Sequence, residues 1–170
     1  MMTTAAAPKG GALANLRELV RIPTVSHLET TSTDWTQFDN FIAAVARLYP
    51  LVHSALKLEI VCGYTMLFHW AGRSAGHPAV LMGHYDVVAA EDDGWEHPPF
   101  AADLTGAGAE QLIWGRGTLD DKGAVAAILE AVELQLAAGL RPEHDIYLSF
   151  GHDEETAGTG AAAVVALLGG

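Results

Sequence analysis

The chain has 170 residues, half of them apolar, and a mean hydropathy of +0.20, which suits one domain with a sizeable core. Its formal net charge is −12 without any Lys/Arg cluster, and this argues against a nucleic-acid partner, whose phosphates such clusters bind. No apolar run approaches the roughly 20 residues of a membrane span. The first residues lack the features of a signal peptide, so we predict a cytoplasmic protein without a membrane partner.

The N-terminal third predicts a tail and two helices. Residues 1–11 are rich in Ala and Thr and predict a loose tail, so the domain itself covers 12–170. Apolar residues at helical spacing predict a first helix that ends near Ile22. A second helix is predicted to begin after an N-cap at Asp34 and to end at Pro50.

A β-hairpin is predicted next. Residues 56–62 and 64–71 alternate apolar and polar side chains around Gly63. Cys62, the one cysteine, lies in the first of these runs and is predicted to be a buried, inert thiol.

The rest of the chain alternates predicted strands and helices. Apolar runs at 79–83 and 146–151 predict strands that are covered on both faces, and 111–115 predicts a shorter strand. A long apolar helix is predicted from Ala124 to Ala138, with Gly139 ending it, and a last helix over 158–168. This order predicts an α/β fold with a mixed, mainly parallel sheet flanked by helices.

Potential metal ligands follow three of the predicted strands. His84, Asp120 and the pair Glu154 and Glu155 each come after a strand, and ligands in open α/β sheets bind beyond the carboxyl ends of the strands. A metal site built from these side chains is therefore the first functional hypothesis.

Each of these residues also has an ordinary structural interpretation. Asp86, two residues beyond His84, can accept the second imidazole N–H, but a His-x-Asp pair alone is more often part of a polar turn. Asp120 can bridge two cations or can simply cap the helix that follows. Of the adjacent glutamates, one can bind a metal while the other acts as general base, or both can lie on a solvated loop.

Four ordered motifs give the pattern its specificity. Residues 82–88, 94–100, 115–123 and 151–155 together resemble the aminoacylase/carboxypeptidase metallopeptidases. That family includes carboxypeptidase S, glutamate carboxypeptidase, aminoacylase and succinyl-diaminopimelate desuccinylase. The stretch 38–64 is most similar to the carboxypeptidase S and N-acyl-amino-acid hydrolase branch.

The resemblance implies a two-zinc site, with cobalt or manganese as alternative metals. It implies that His84 binds one zinc, Asp120 bridges both and Glu155 binds the second. Glu154 is then the general base, and Asp86 supports His84. The implied reaction is hydrolysis of an amide bond next to a free carboxylate, in an N-acyl amino acid or a peptide. A cis peptide bond after Asp120 is implied as well.

The resemblance also implies that this chain is the N-terminal part of a catalytic domain. Family members continue with a lid or dimerisation domain and further zinc ligands, which are absent here. We therefore expect a chain that is inactive alone, holds zinc poorly and self-associates through exposed apolar strands. The alternatives are a dipeptidase or aminoacylase of the same family, or a non-catalytic fragment that acts as a binding module.

Overall fold

Helical and strand periodicities in the sequence give five α-helices and six β-strands within residues 11–91 and 93–169, which the computed structural model describes. In chain order they are α1 Ala12–Val20, α2 Trp35–Leu48, α3 Pro50–Ala55, β1 Lys57–Val61, β2 Thr65–Trp70, β3 Ala79–His84, β4 Asp103–Thr105, β5 Leu112–Trp114, α4 Lys122–Ala137, β6 Ile146–Gly151 and α5 Thr159–Leu168. The predicted tail lies outside the described residues except for Gly11. None of the helices described is long and apolar enough to cross a membrane.

The main sheet has four strands in the order β1-β2-β6-β3. The pairings β1 with β2 and β2 with β6 are antiparallel, whereas β3 and β6 run parallel. Strands β4 and β5 form a separate antiparallel pair. The mixed α/β fold with flanking helices is therefore confirmed. The prediction of a mainly parallel sheet was wrong, because antiparallel pairings outnumber the parallel one in the described residues.

Side chains alternate between the two faces of the sheet, and each face is covered by helices. Met66 and Phe68 of β2 and Leu148 and Phe150 of β6 join residues of α1 to α4 in the larger core. Neighbouring positions on the opposite face pack with Val164 of α5 in a smaller cluster. This alternation follows from the two-residue repeat of a β-strand.

Helix α2 has the predicted start, since Asp34 Oδ1 accepts a hydrogen bond from the Thr36 amide at 3.1 Å. The prediction at Pro50 was incomplete, because this proline ends one helix and also opens α3. The carboxylate of Glu133 on α4 accepts hydrogen bonds from the free amides of Leu51 and Val52, at 3.0 and 2.8 Å. Glu133 thus provides hydrogen-bond acceptors for free amides at the N-terminus of α3, although it lies about 80 positions away in the chain.

Helix α4 begins two residues earlier than predicted and ends where expected. Asp121 occupies the N-cap position, and Lys122 is the first helical residue. At the other end Gly139 has φ +73°, and Leu140 N donates to Gln135 O at 2.9 Å. That is the hydrogen bond expected of a glycine-terminated helix.

Strand β3 is an edge strand among the described residues, which corrects the prediction of a strand covered on both faces. Val80, Leu81 and Met82 are 43%, 40% and 57% exposed. Strand β6 lies between β2 and β3, and its residues Leu148 and Phe150 are fully buried as predicted. The expected exposed apolar surface is thus present on β3 and not on β6.

Cys62 is exposed, so the prediction of a buried thiol was wrong. Strand β1 ends at Val61, and Cys62 lies in the hairpin turn with φ +51°. The alternation that indicated burial stops one residue earlier, where the chain leaves the sheet.

Candidate metal centre

The topology places the predicted ligands at one edge of the sheet. His84 is the last residue of β3 and lies opposite Gly151, the last residue of the parallel strand β6. The loop between β5 and α4 brings Asp120 to the same edge. His84, Asp120 and Glu155 each offer a ligand atom, and these atoms lie within 4.8 Å of one another.

The imidazole of His84 is held in one orientation by Asp86. Its Nδ1 lies 3.1 Å from the backbone oxygen of Asp86 and 3.3 Å from Oδ1. Both of these atoms are acceptors, so Nδ1 carries a proton and donates it. The other nitrogen, Nε2, faces Asp120 Oδ1 at 2.9 Å and Glu154 Oε2 at 3.7 Å.

The contact between His84 Nε2 and Asp120 requires a positive charge at that position. In a neutral imidazole with Nδ1 protonated, Nε2 is an acceptor, and two acceptors 2.9 Å apart repel each other. Burial alone would lower the pKa of His84, but the hydrogen bonds with Asp86 and Asp120 outweigh it and raise that pKa to about 9. A proton supplies the charge in the metal-free protein, and a cation can replace it.

Asp86 connects the histidine to the two glutamates. Its fully buried carboxylate accepts hydrogen bonds from Ser26 Oγ at 2.7 Å and from the backbone amides of Glu154 and Glu155, each at 3.1 Å. Burial raises the pKa of Asp86, but these bonds and the one from His84 outweigh it and lower the pKa below its ordinary value. Asp86 is therefore ionised and fixes both strand ends.

Negative charge accumulates around His84. Burial raises the pKa of Glu155, and the nearby charges of Asp120, Asp86 and Glu154 raise it further. The Asp120 and Glu154 side chains are 76% and 61% exposed, so they are open to a ligand. Carboxylates with one imidazole are a donor set that suits a divalent metal such as zinc.

Lys122 supports the loop that carries Asp120. It is fully buried, and its Nζ donates to Leu19 O at 3.2 Å and to Ile22 O at 2.5 Å. These bonds tie the start of α4 to the end of α1. Burial lowers the pKa of Lys122 to about 7.

The peptide bond between Asp120 and Asp121 is cis, as the family resemblance implied. Asp121 Oδ2 accepts a hydrogen bond from the backbone amide of His84 at 3.3 Å. Asp121 thus joins the helix start to the end of β3, whereas Asp120 faces the imidazole. The interpretation of Asp120 as a simple helix cap does not fit this arrangement.

Three supporting residues were missed in the sequence. Ser26 has no local signal, because its partner Asp86 is 60 positions away. Asp153 accepts hydrogen bonds from the Thr159 and Gly160 amides at 2.7 and 3.1 Å and so anchors the start of α5. Lys122 lies in the motif 115–123, but nothing in that motif indicates a buried amine.

The remaining histidines have no ligand-like spacing in the sequence, which predicts surface or structural roles for them: His27, His53, His69, His77, His97 and His144. None of them belongs to the group of potential metal ligands found in the described residues. His69 pairs with Asp145 at 2.9 Å and His97 with Asp103 at 3.1 Å. The sequence thus selected the histidine that lies among the carboxylates. A cavity of about 250 Å³, lined in part by His84, Asp121 and Glu154, leaves room for a small ligand.

Comparison with known proteins assigns the family. The profile described as Peptidase family M20/M25/M40 matches residues 80–170, more than half of the chain. The chain is 46% identical over 116 residues to a probable carboxypeptidase S-like 2 of Dictyostelium discoideum, which covers 67% of this chain and 22% of that protein. It is 39% identical over 156 residues to the human N-fatty-acyl-amino acid synthase/hydrolase PM20D1, covering 90% and 30%. The chain belongs to the M20/M25/M40 peptidase family and spans less than a third of the length of these curated relatives.

Solved structures show the same fold. The dipeptidase Dug1p of Saccharomyces cerevisiae superposes with a TM-score of 0.70 at 19% identity, covering 91% of this chain and 34% of that one. Human carnosine dipeptidase 1 gives 0.68 at 21% identity with the same coverage. At these identities the likeness concerns the fold alone.

Proposed function

We propose that this chain is part of a zinc-dependent hydrolase that cleaves an amide bond next to a free carboxylate, as a carboxypeptidase or an N-acyl-amino-acid amidohydrolase. The observation that carries this proposal is the 2.9 Å contact between His84 Nε2 and Asp120 Oδ1, with Glu155 close by. A cation held by these groups would replace the proton on His84 Nε2 and would offset the crowded negative charge.

The donor atoms suggest how two ions would be shared. His84 and Asp120 would hold one zinc, and Asp120 with Glu155 would hold the second. Cobalt and manganese also accept such nitrogen and oxygen ligands. Zinc bound there would supply a Lewis acid that polarises the scissile carbonyl and makes water a better nucleophile.

Glu154 is the proposed general base. Its carboxylate is mostly exposed, its Oε2 lies 3.7 Å from His84 Nε2, and its backbone is fixed by Asp86. Oε2 would take a proton from the attacking water and deliver it to the leaving amide nitrogen. Asp86 acts through His84 and the glutamate backbones, so its proposed role is positioning.

An acyl-amino-acid or carboxypeptidase substrate is favoured over a dipeptide. The human relative named as an N-fatty-acyl-amino acid synthase/hydrolase is 39% identical over 90% of this chain. The dipeptidase structures share the fold at 19% and 21% identity, which does not carry a substrate. A dipeptidase or aminoacylase remains the second candidate within the family.

We also propose that the 170-residue chain is inactive alone and binds zinc weakly. Each ion would have two protein ligands here, whereas catalytic zinc usually has three plus water. The exposed apolar residues Val80, Leu81 and Met82 on β3 favour a homo-oligomer or a covering partner. If the chain serves only as a binding module, this edge is its most suitable surface.

Turnover and metal content test the proposal together. We expect the full-length protein to hydrolyse N-acyl amino acids and the 170-residue chain to show no steady turnover. In the full-length protein Glu154→Gln should lower kcat by at least about a hundredfold with unchanged zinc content, because only proton transfer is removed. Glu29→Gln, at an exposed glutamate outside the group of potential metal ligands, is the matched control. Loss of zinc and activity together in Glu154→Gln would contradict the assigned role.

A further inference from the structure

We propose that residues 22–26, called here the 22–26 segment, hold the two halves of the candidate metal centre at a fixed separation. One half is the turn at the end of β3, which carries His84 and Asp86. The other half is the loop that carries Asp120. The inference rests on the proposed function, because it names residues that would position the metal ligands. These residues have positioning roles and contact neither metal nor substrate.

The first contact of the segment is between Ser26 and Asp86. Ser26 is 8% exposed, and its Oγ donates a hydrogen bond to Asp86 Oδ2 at 2.7 Å. That bond is shorter than those from the backbone amides of Glu154 and Glu155, which donate to Oδ1 and Oδ2 at 3.1 Å. Without the hydroxyl of Ser26, the carboxylate would be freer to rotate away from both glutamate amides.

Backbone hydrogen bonds hold the segment against the same turn. Val25 forms a parallel bridge with Val87. The Ser26 amide donates to Val87 O at 3.2 Å, and the Val87 amide donates to Thr24 O at 3.0 Å. The hydroxyl of Thr24 donates to Tyr85 O. Because these contacts do not involve the Ser26 side chain, removal of its hydroxyl should leave the segment in place.

The other end of the segment is bound to the start of α4. Lys122 Nζ donates to Ile22 O at 2.5 Å and to Leu19 O at 3.2 Å. Lys122 is fully buried and lies two residues after Asp120, so these bonds fix the end of the loop that carries that aspartate. Pro23 directly follows Ile22, and its ring restricts φ and so limits bending of the segment.

The separation of the two halves matters because a metal ion must bind both of them. His84 Nε2 and Asp120 Oδ1 lie 2.9 Å apart, although they belong to different loops. A direct link between the loops is the bond from the His84 amide to Asp121 Oδ2, which is long at 3.3 Å. The 22–26 segment supports both loops from one side, and metal ligands held by such surrounding contacts bind more tightly.

Amide hydrogen exchange in the metal-free 170-residue chain tests the segment without a ligand. The amides of Glu154 and Glu155 donate to Asp86, so their protection reports how firmly that carboxylate is held. The reference is the amide of Phe150, which lies in a central strand and follows the stability of the whole fold. We expect Ser26→Ala to lower the protection of both glutamate amides about tenfold relative to this reference, because a hydrogen bond to a charged group is lost.

Lys122→Met tests whether the two ends of the segment are connected. Lys122 makes no hydrogen bond with either glutamate among the described residues, yet we expect its replacement to lower the protection of the same two amides. In the Ser26→Ala background Lys122→Met should have little further effect, because the connection to Asp86 is already broken. Effects that multiply independently would show two unrelated contacts and would overturn the inference.

Two variants serve as controls. Ser54→Ala removes the hydroxyl of an exposed serine that donates to Leu51 O at 3.3 Å, and the protection of the glutamate amides should not change. Val52→Ala shortens a fully buried side chain of α3 and should destabilise the whole fold. Protection relative to Phe150 should therefore stay constant in Val52→Ala. Circular dichroism of each variant establishes that it is folded.

Cobalt binding connects the segment to the metal centre. We expect Co²⁺, titrated at millimolar concentration and followed by visible absorption, to bind Ser26→Ala about tenfold more weakly than the wild type or Ser54→Ala. Unchanged amide protection or unchanged cobalt affinity in Ser26→Ala would overturn the inference, while cobalt binding by the wild type would still support the proposed function. A wild-type chain that binds no cobalt would count against the proposed function, and the exchange measurements would then decide the role of the segment.

Discussion

Asp86 Oδ1 accepts a hydrogen bond from the backbone amide of Glu154 at 3.1 Å, so the residue that orients His84 also fixes the chain carrying the proposed base. The other oxygen, Oδ2, makes the same contact with the Glu155 amide and with Ser26 Oγ. One buried carboxylate therefore aligns the ends of β3 and β6. Its removal should affect the geometry of the site and the stability of the fold together.

Replacing Asp86 with Asn should be strongly destabilising. The amide has the same shape but lacks the charge, and its NH₂ group would face donors. We expect a loss of about 2–4 kcal/mol in the free energy of unfolding, because hydrogen bonds to buried charged groups are worth ~1.5–3 kcal/mol each. Zinc affinity should fall by about 10–100-fold, as for other groups that orient a metal-binding histidine. Urea denaturation and a competitive zinc titration measure the two effects.

Asp34→Asn is the matched control for this substitution. Asp34 is the exposed N-cap of α2, and Asn caps a helix about as well as Asp. We expect little change in the free energy of unfolding and an unchanged zinc affinity, because surface substitutions that keep a helix cap are nearly neutral. Similar effects of Asp86→Asn and Asp34→Asn would contradict the role assigned to Asp86.

Zinc binding should depend on pH through His84. The pKa of His84 in the metal-free chain is raised to about 9, so below that pH zinc must displace a proton. We expect zinc affinity to rise by up to about tenfold per pH unit between pH 7 and 9 and then to level off. His84→Ala should bind far more weakly and with a flatter pH dependence, whereas His77→Ala at an exposed site should match the wild type. A pH-independent affinity in the wild type would count against this coupling.

Lys122 should make the stability of the metal-free chain rise with pH. Its pKa is lowered by burial to about 7 in the fold, against ~10.4 in the unfolded chain. Between these values the unfolded state binds more protons, so the free energy of unfolding increases with pH. The difference between wild type and Lys122→Met should therefore grow by about 2 kcal/mol from pH 7 to 9. His84 has the opposite effect on the free energy of unfolding: its raised pKa stabilises the fold below pH ~6.5, and this stabilisation is lost as pH rises through about 9. Both proteins contain His84, so its contribution cancels when the variant is compared with the wild type. A difference that is constant with pH would show that the buried amine does not titrate in this range.

Replacing Gly117 or Gly63 with alanine gives two variants that differ in the space available to the new Cβ atom. Both glycines have a positive φ, +84° and +88°, so alanine is strained at either position by ~1–2 kcal/mol. A Cβ at Gly117 would also lie 2.8 Å from Val87 Cγ1 and 3.2 Å from Lys122 Cδ, whereas at Gly63 it meets open space. We expect Gly117→Ala to cost about 1–3 kcal/mol more than Gly63→Ala in thermal or urea unfolding. Equal costs would mean that the loop at Gly117 relaxes freely.

Local patterns were sufficient to predict most elements. Helices α1, α2, α4 and α5 and the β1–β2 hairpin follow from the spacing of apolar residues and from Asp34 and Gly139 at helix ends. The convergence of His84 and Glu155 followed from a general rule on the carboxyl ends of strands, because β3 and β6 are parallel neighbours. Asp120 reaches them from the loop after β5, which lies in the separate pair, so that rule does not account for its position. Their roles as metal ligands remain a prediction.

The features that were missed depend on residues distant in the chain. An apolar strand such as β3 has the same local pattern whether it lies in the centre or at the edge of a sheet, because periodicity does not report its neighbours. Helix α3 depends on Glu133, and the orientation of Asp86 depends on Ser26. Cys62 was misplaced because alternation alone does not show where a strand turns.

The most direct test of the zinc centre is anomalous diffraction at the zinc edge from crystals of this chain soaked in zinc at millimolar concentration, which offsets the weak binding we expect. We predict anomalous density in contact with His84 Nε2 and Asp120, extending toward Glu155, and its loss in His84→Ala crystals. Density elsewhere on the molecule, or none at this site with the fold intact, would contradict the assignment of a metal centre.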